Sequence, residues 1–268
     1  MSLQRHTMQR DGLDLAWYDT GGPGVPVVFQ HGLCGDARQT AEACPLGHRL
    51  ITLECRGHGA SQPGNPDQFS IKTFADDIAA LIEQLTLGPL IVGGISMGAA
   101  IATRLAVTRP ELVRALALVR PAWVTEAAPP NLQPNAEVGA LLSRLPPDAA
   151  REAFAASSTH ARLAADAPDN LVSLLSFFQR EPIAITAALL QAIAADGPGV
   201  TEADLARLNI PALVIGTGQD AIHPWTMAEQ LAALIPGANL RQATPKAIDK
   251  SRYLADLHSA LGAFFEDI

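Results

Sequence analysis

Residues 93–100 read GGISMGAA, and the apolar run Leu90, Ile91, Val92 leads into them. An apolar run, then small residues, then AAIATRLAVTRP (99–110) reads as strand, tight turn and helix. Gly94-Ile95-Ser96-Met97-Gly98 is a G-x-S-x-G pattern. A serine on so sharp a turn sits at strained backbone angles, and a side chain at either flanking glycine would collide with the neighbouring strand or helix. The strand before and the helix after supply the context the pattern needs. The expectation is therefore an exposed nucleophile, Ser96, at a helix N-terminus whose N–H groups and dipole favour developing negative charge. The plain alternative is a small-residue β–α turn that happens to carry a serine.

Outward from this turn, Val25–Gln30, Leu50–Leu53, Ala115–Val119 and Ala212–Ile215 are short, β-branched-rich and bounded by Gly or Pro. They read as strands buried on both faces. Leu13–Tyr18 alternates apolar and polar residues, as a half-exposed edge strand does. Asn239–Ala243 reads as the last strand. Ser70 caps a helix carrying Phe74, Ile78, Leu81 and Leu85 at helical spacing. Strands alternating with helices imply an α/β fold, a mostly parallel sheet of about eight strands flanked by helices. From Trp123 to about Asp204 only helical patterns occur, separated by Pro129-Pro130, Pro146-Pro147 and Gly197-Pro198-Gly199. The expected organisation is a core of residues 1–122 and 205–268 with a helical cap at 123–204, over the sheet edge where open α/β sheets bind ligands.

Composition narrows the function classes. The 268 residues are 48% hydrophobic with a formal net charge of −8 and no long Lys/Arg run, which argues against nucleic acid as a partner. No apolar stretch has the length of a membrane span. MSLQRHTMQRDG (1–12) has no apolar signal region, and three cysteines without CxxC spacing fit a reduced cytoplasm. No metal site and no cofactor are expected. The expected partner is a small molecule; oligomeric state is not read from the sequence.

A second turn agrees with the first. Gln30-His31-Gly32-Leu33-Cys34-Gly35 ends a strand with glycines that let backbone approach a substrate closely. The N–H groups of Leu33 and Met97 would then form an oxyanion hole. His31 reads as a residue ordering this turn beside the pocket. HGLCG (31–35), ECRGHGAS (54–61), GISMG (94–98) and GTGQDAIHP (216–224), in this order, resemble the motifs of the α/β-hydrolase family over nearly the whole chain. Glu54 stands where the family's D-x-R-G-x-G-x-S loop has Asp, and His58 belongs to that loop as a structural residue. The resemblance implies the fold, a serine hydrolase activity and an acid after the seventh strand, the place of Asp220.

The resemblance also implies a histidine after the last strand, near 247–249. The loop there is TPKAIDKS (244–251), without histidine. Four residues stand as alternatives. Lys246 must be neutral to act, and lowering its pKa from about 10.4 to 7 costs roughly 4–5 kcal/mol; a nearby Asp220 opposes that shift. His258 lies inside the final helix and reads as packed. His31 belongs to its turn. His223 is three residues after Asp220 at the right sheet edge, although His-Pro there is also a plain helix start. The first reading is a serine hydrolase of a small, largely apolar ester, lactone or related acyl compound, with Ser96, Asp220 and His223 as its triad. Trp123, Phe177, Phe178 and Trp225 are the expected pocket anchors. The rival is a binding protein that kept the pocket and lost turnover. A third possibility is lyase or cofactor-independent oxygenase chemistry, which usually needs the histidine too.

Overall fold

The computed structural model describes residues 3–268; Met1 and Ser2, at the head of the 1–12 stretch, lie outside it. Eight strands form one sheet: β1 (Gln4–Arg10), β2 (Leu13–Asp19), β3 (Val27–Gln30), β4 (Leu50–Leu53), β5 (Leu90–Ile95), β6 (Val113–Val119), β7 (Ala212–Thr217) and β8 (Asn239–Ala243). Their order is β1-β2-β4-β3-β5-β6-β7-β8. β1 and β2 pair antiparallel, as do β2 and β4; the remaining pairs are parallel.

Strands β3 to β7 are buried at every position but Arg114 of β6, as apolar runs covered by helices on both faces must be. The covering helices are α1 (Ala37–Ala43), α2 (Ile71–Gln84) and α3 (Met97–Thr108). Ser70 caps α2 as the sequence suggests, its side chain accepting from the Thr73 N–H. α4 (Gln133–Leu142), α5 (Pro147–Ala155), α6 (Ser158–Asp166), α7 (Pro168–Ser176), α8 (Ile183–Ala194) and the short α9 (Glu202–Leu205) fill the interval between β6 and β7. α10 (Trp225–Leu234) follows β7, and α11 (Lys250–Glu266) ends the chain. α4 to α8 bury an apolar cluster of their own around Phe154, Leu163, Leu174 and Leu190. Leu33, Cys34 and Ala221, from loops at the C-terminal ends of β3 and β7, pack against it. The helical interval therefore sits on the sheet edge that carries Ser96.

One expectation fails. β2 is an interior strand, and the outer place belongs to β1, whose residues 4–10 gave no strand signal. Only Met8 of β1 is buried, so an exposed polar strand hides its alternation from the sequence.

The ECRGHGAS loop is held from beneath by charge. Arg56, 2% exposed, donates from Nε and Nη2 to both Asp77 oxygens at 2.8 Å and from Nη1 to Gln68 Oε1 at 2.9 Å. Asp77 is itself 1% exposed and has no solvent to replace the guanidinium. Arg56→Met leaves the buried carboxylate to the longer, 3.5 Å approach of Arg10 Nε. It should destabilise the fold by about 3–5 kcal/mol in urea unfolding; a loss under 1 kcal/mol would show that the pair is not what anchors this loop.

Candidate active site

The backbone at Ser96 takes φ 56° and ψ −113°, a strained conformation for a residue with a side chain. The flanking glycines make it possible. A Cβ at Gly94 would lie 2.5 Å from the Gly98 carbonyl carbon, and one at Gly98 would lie 2.3 Å from the Gln30 oxygen. The turn can be this tight only because both side chains are missing.

The turn at Gly32–Gly35 is fixed donor by donor. Gly32 N–H donates to Gln39 Oε1 at 2.7 Å, Cys34 N–H to His58 Nε2 at 3.0 Å, and Gly35 N–H to the Gly32 carbonyl at 2.9 Å. The Leu33 N–H alone in this turn has no acceptor among the described residues, and neither does Met97 N–H at the start of α3. Those are the two donors the sequence puts forward for an oxyanion.

The two histidines read as ordering their loops are each held by two hydrogen bonds. His31 is wholly buried, its Nδ1–H on the Gly32 carbonyl at 2.8 Å and its Nε2 accepting from Cys55 N–H at 3.1 Å. Burial pushes its pKa down to about 4, so it is neutral. His58 donates from Nδ1 to the Arg56 carbonyl at 3.0 Å, and burial holds its pKa well below the usual value. His258 bonds the Glu42 carbonyl from its helix at 2.8 Å, away from Ser96.

His223 does reach the serine. Its Nε2 is 2.8 Å from Ser96 Oγ, while Nδ1 is 2.9 Å from Asp220 Oδ1. Asp220 folds its carboxylate back over its own turn and also accepts the His223 backbone N–H at 2.9 Å. Imidazole and backbone of residue 223 are thus tied to the same oxygen. Pro224 stands at the N-cap of α10, so His-Pro also leads directly into a helix. Arg120, immediately after β6, donates from Nε and Nη2 to Asp220 Oδ2 at 2.8 and 2.6 Å. Asn170 of α7 donates to Asp220 Oδ1 at 2.9 Å.

The charges set protonation. Burial alone would raise the Asp220 pKa, but imidazole, guanidinium and amide donors together hold it far below the usual carboxylate range. For His223 burial is the largest influence and lowers the pKa from 6.5; Asp220 opposes it and Arg120 adds to it. The imidazole is neutral at neutral pH. With its proton on Nδ1 facing Asp220, Nε2 can accept from the serine hydroxyl.

Lys246 lines the same small pocket as Asp220 but is not its ion-pair partner. Its Nζ pairs with Asp169 Oδ1 of α7 at 3.2 Å, because Asp220 already has Arg120.

Ser96 and His223 open into a cavity of about 250 Å³ walled by Leu33, Trp123, Leu132, Leu174, Phe177 and Ile222, with Gln39, Arg120, Asn135, Asn170, Ser173, Ser176 and Lys246 as polar members. Three larger clefts, about 540, 520 and 370 Å³, lack Ser96 and His223. Trp123 and Phe177 thus line the cavity as expected, and three other expected pocket residues do not. His31 is sealed beneath its turn. Phe178 is 2% exposed and its ring lies 5.8 Å from Phe154 inside the helical layer. Trp225 covers Gly216, where a Cβ would lie 2.7 Å from the indole. Arg120 and Asn170 were missed. Arg120 could have been found as the residue leaving a buried strand at the ligand edge; no pattern in the sequence marks Asn170.

A family model described as alpha/beta hydrolase fold matches residues 25–250, and the chain belongs to that family. It is 43% identical over 107 residues to a protein named Putative non-heme bromoperoxidase BpoC of Mycobacterium tuberculosis, a match covering 38% of this chain and 40% of that protein's length. It is 28% identical over 225 residues to a protein named Putative carbamate hydrolase RutD of Pseudomonas savastanoi pv. phaseolicola, covering 80% of this chain and 83% of that one. Among solved structures, a thermophilic esterase from Thermogutta terrifontis superposes with a TM-score of 0.75 at 23% identity, covering 98% of both chains.

The protonation argument yields a test that needs no substrate. In an NMR titration, the imidazole resonances absent from His223→Gln should show a pKa below 6.5 in the wild type. A value above 6.5 would contradict the dominance of burial and Arg120 over Asp220.

Proposed function

We propose that the protein is a serine hydrolase acting on a small, largely apolar ester, lactone or related acyl compound, with Ser96 as nucleophile and His223 as base. The observation that carries this is the 2.8 Å approach of His223 Nε2 to Ser96 Oγ, within the reach a general base requires. His223 takes the hydroxyl proton as Oγ attacks the acyl carbon. The oxyanion that forms accepts from Leu33 and Met97 N–H, each such donor being worth about 3 kcal/mol in the transition state. The imidazolium, steadied by Asp220, then protonates the leaving group, and the acyl group remains on Ser96. Water activated by the same imidazole releases the acid and restores the serine.

The cavity supports a small substrate, since its volume of about 250 Å³ lies under the roughly 300–1,000 Å³ of pockets for drug-sized ligands. Its leucine, isoleucine and aromatic walls suit an aliphatic acyl chain. Helices α4 and α7 supply part of those walls, which supports reading the 123–204 interval as a cap enclosing substrate. The hydrolase name of a relative matching four fifths of the chain agrees with the reaction class. A binding-only protein drew its support from the loop without histidine, and a base already in place on another loop weighs for turnover instead.

With short acyl esters as substrates and a fluorophosphonate as probe, Ser96→Ala should lose both turnover and labelling. Lys246→Met should keep kcat within about threefold, because a general base contributes at least 10²-fold and Lys246 is not one. A wild-type protein left unlabelled for hours at pH 8 would refute the activated serine. A Lys246→Met variant that is inactive but folded would move the base to the loop after β8.

A further inference from the structure

The helical layer reaches the acid and base with side chains of its own. Asn170, 4% exposed on α7, uses both ends of its carboxamide on the loop that follows β7. Nδ2 donates to Asp220 Oδ1 at 2.9 Å; Oδ1 accepts Ala221 N–H at 2.7 Å and Ile222 N–H at 3.4 Å. The neighbouring Asp169 pairs with Lys246 at 3.2 Å and approaches Arg120 at 3.9 Å. One turn of α7 therefore meets every charged group around the acid. Elsewhere the layer touches the core through apolar packing and scattered bonds such as Asn131 to the Ile222 carbonyl.

The loop needs such a brace. Acid and base share one short turn, so any rotation of the Asp220 carboxylate moves the hydrogen bond that aims Nε2 at Ser96. Arg120 pulls on Oδ2 from one side. On the other side Asn170 fixes Oδ1 and the two N–H groups leading to His223. A carboxamide is suited to this because it donates to an anion and accepts from backbone at once, without adding charge.

We propose that Asn170 is a positioning residue for the Asp220–His223 pair, so that docking of α7 both closes the cavity and aligns the base. This rests on the serine-hydrolase reading of the same site. Its consequence is that enclosing the substrate and bracing the catalyst are coupled: α7 cannot lift from the loop without freeing Asp220 Oδ1 from Asn170, while Arg120 keeps its hold on Oδ2.

The test compares Asn170→Ala and Asn170→Asp in the full-length protein, on a short acyl ester across pH, with thermal unfolding alongside. Asn170→Ala should lower kcat about 10- to 100-fold through misplacement of the base, with KM changed less than about threefold. Asn170→Asp keeps the acceptor for Ala221 but places an anion against Asp220. The groups facing His223 are Asp220, Arg120 and Asp169, with Lys246 on the same cavity and Tyr253 behind Arg120. Both cations favour the ionised form of the added carboxylate against the repulsion of Asp220, and an added anion favours imidazolium. The ascending limb of kcat/KM should therefore move to higher pH, and so should the His223 NMR titration. Full kcat in the Ala variant with an unmoved pH profile in the Asp variant would overturn the proposal. If the Ala variant fails to fold, the Asp variant decides: an unmoved profile overturns it. If the wild type turns over no ester, the hydrolase reading fails, while the NMR shift of His223 still tests the brace.

Discussion

A single carboxylate, that of Asp220, organises the site. It accepts from the imidazole and backbone of His223 on its own turn, from Arg120 at the end of β6, and from Asn170 on α7. A buried anion is tolerated only when its lone pairs are filled, and here donors from three segments fill them. The same bonds fix where the imidazole points. Burial, packing of the helical layer and the aim of the imidazole are thereby linked through one group.

That arrangement also explains how a histidine three residues from its acid can reach a serine on another strand. β5 and β7 are separated only by β6, and their C-terminal loops open on the same edge. A short Asp–His turn after β7 spans that gap when the carboxylate clamps both ends of the turn. In the loop after β8, Lys246 pairs with Asp169 at the joint between helical layer and core.

The fold was legible where steric demands are local. The glycines around Ser96 announce themselves because no other residue fits within 2.5 Å of neighbouring backbone. The polar edge strand β1 was not legible, since its backbone bonds to β2 hold it and its side chains mostly face solvent. In the site, Asp220 and His223 could be picked out as neighbours on one loop. Whether the imidazole touched Ser96 depended on how two strands and a turn meet, which spacing does not encode. The Lys246 pairing went astray because its partner comes from α7, and no periodicity says where α7 lands. Phe177 and Phe178 show the same limit: adjacent residues on a 3-10 turn point about 120° apart, so one lines the cavity and the other the helical core.

The central claim is that the base sits on the acid's own loop. Its most direct measurement is the rate at which a fluorophosphonate labels Ser96 in His223→Ala, followed by mass spectrometry at pH 7 beside the wild type. The account predicts labelling at least about 10²-fold slower, the lower range of general-base contributions, partly restored by added imidazole. Labelling at the wild-type rate would contradict it.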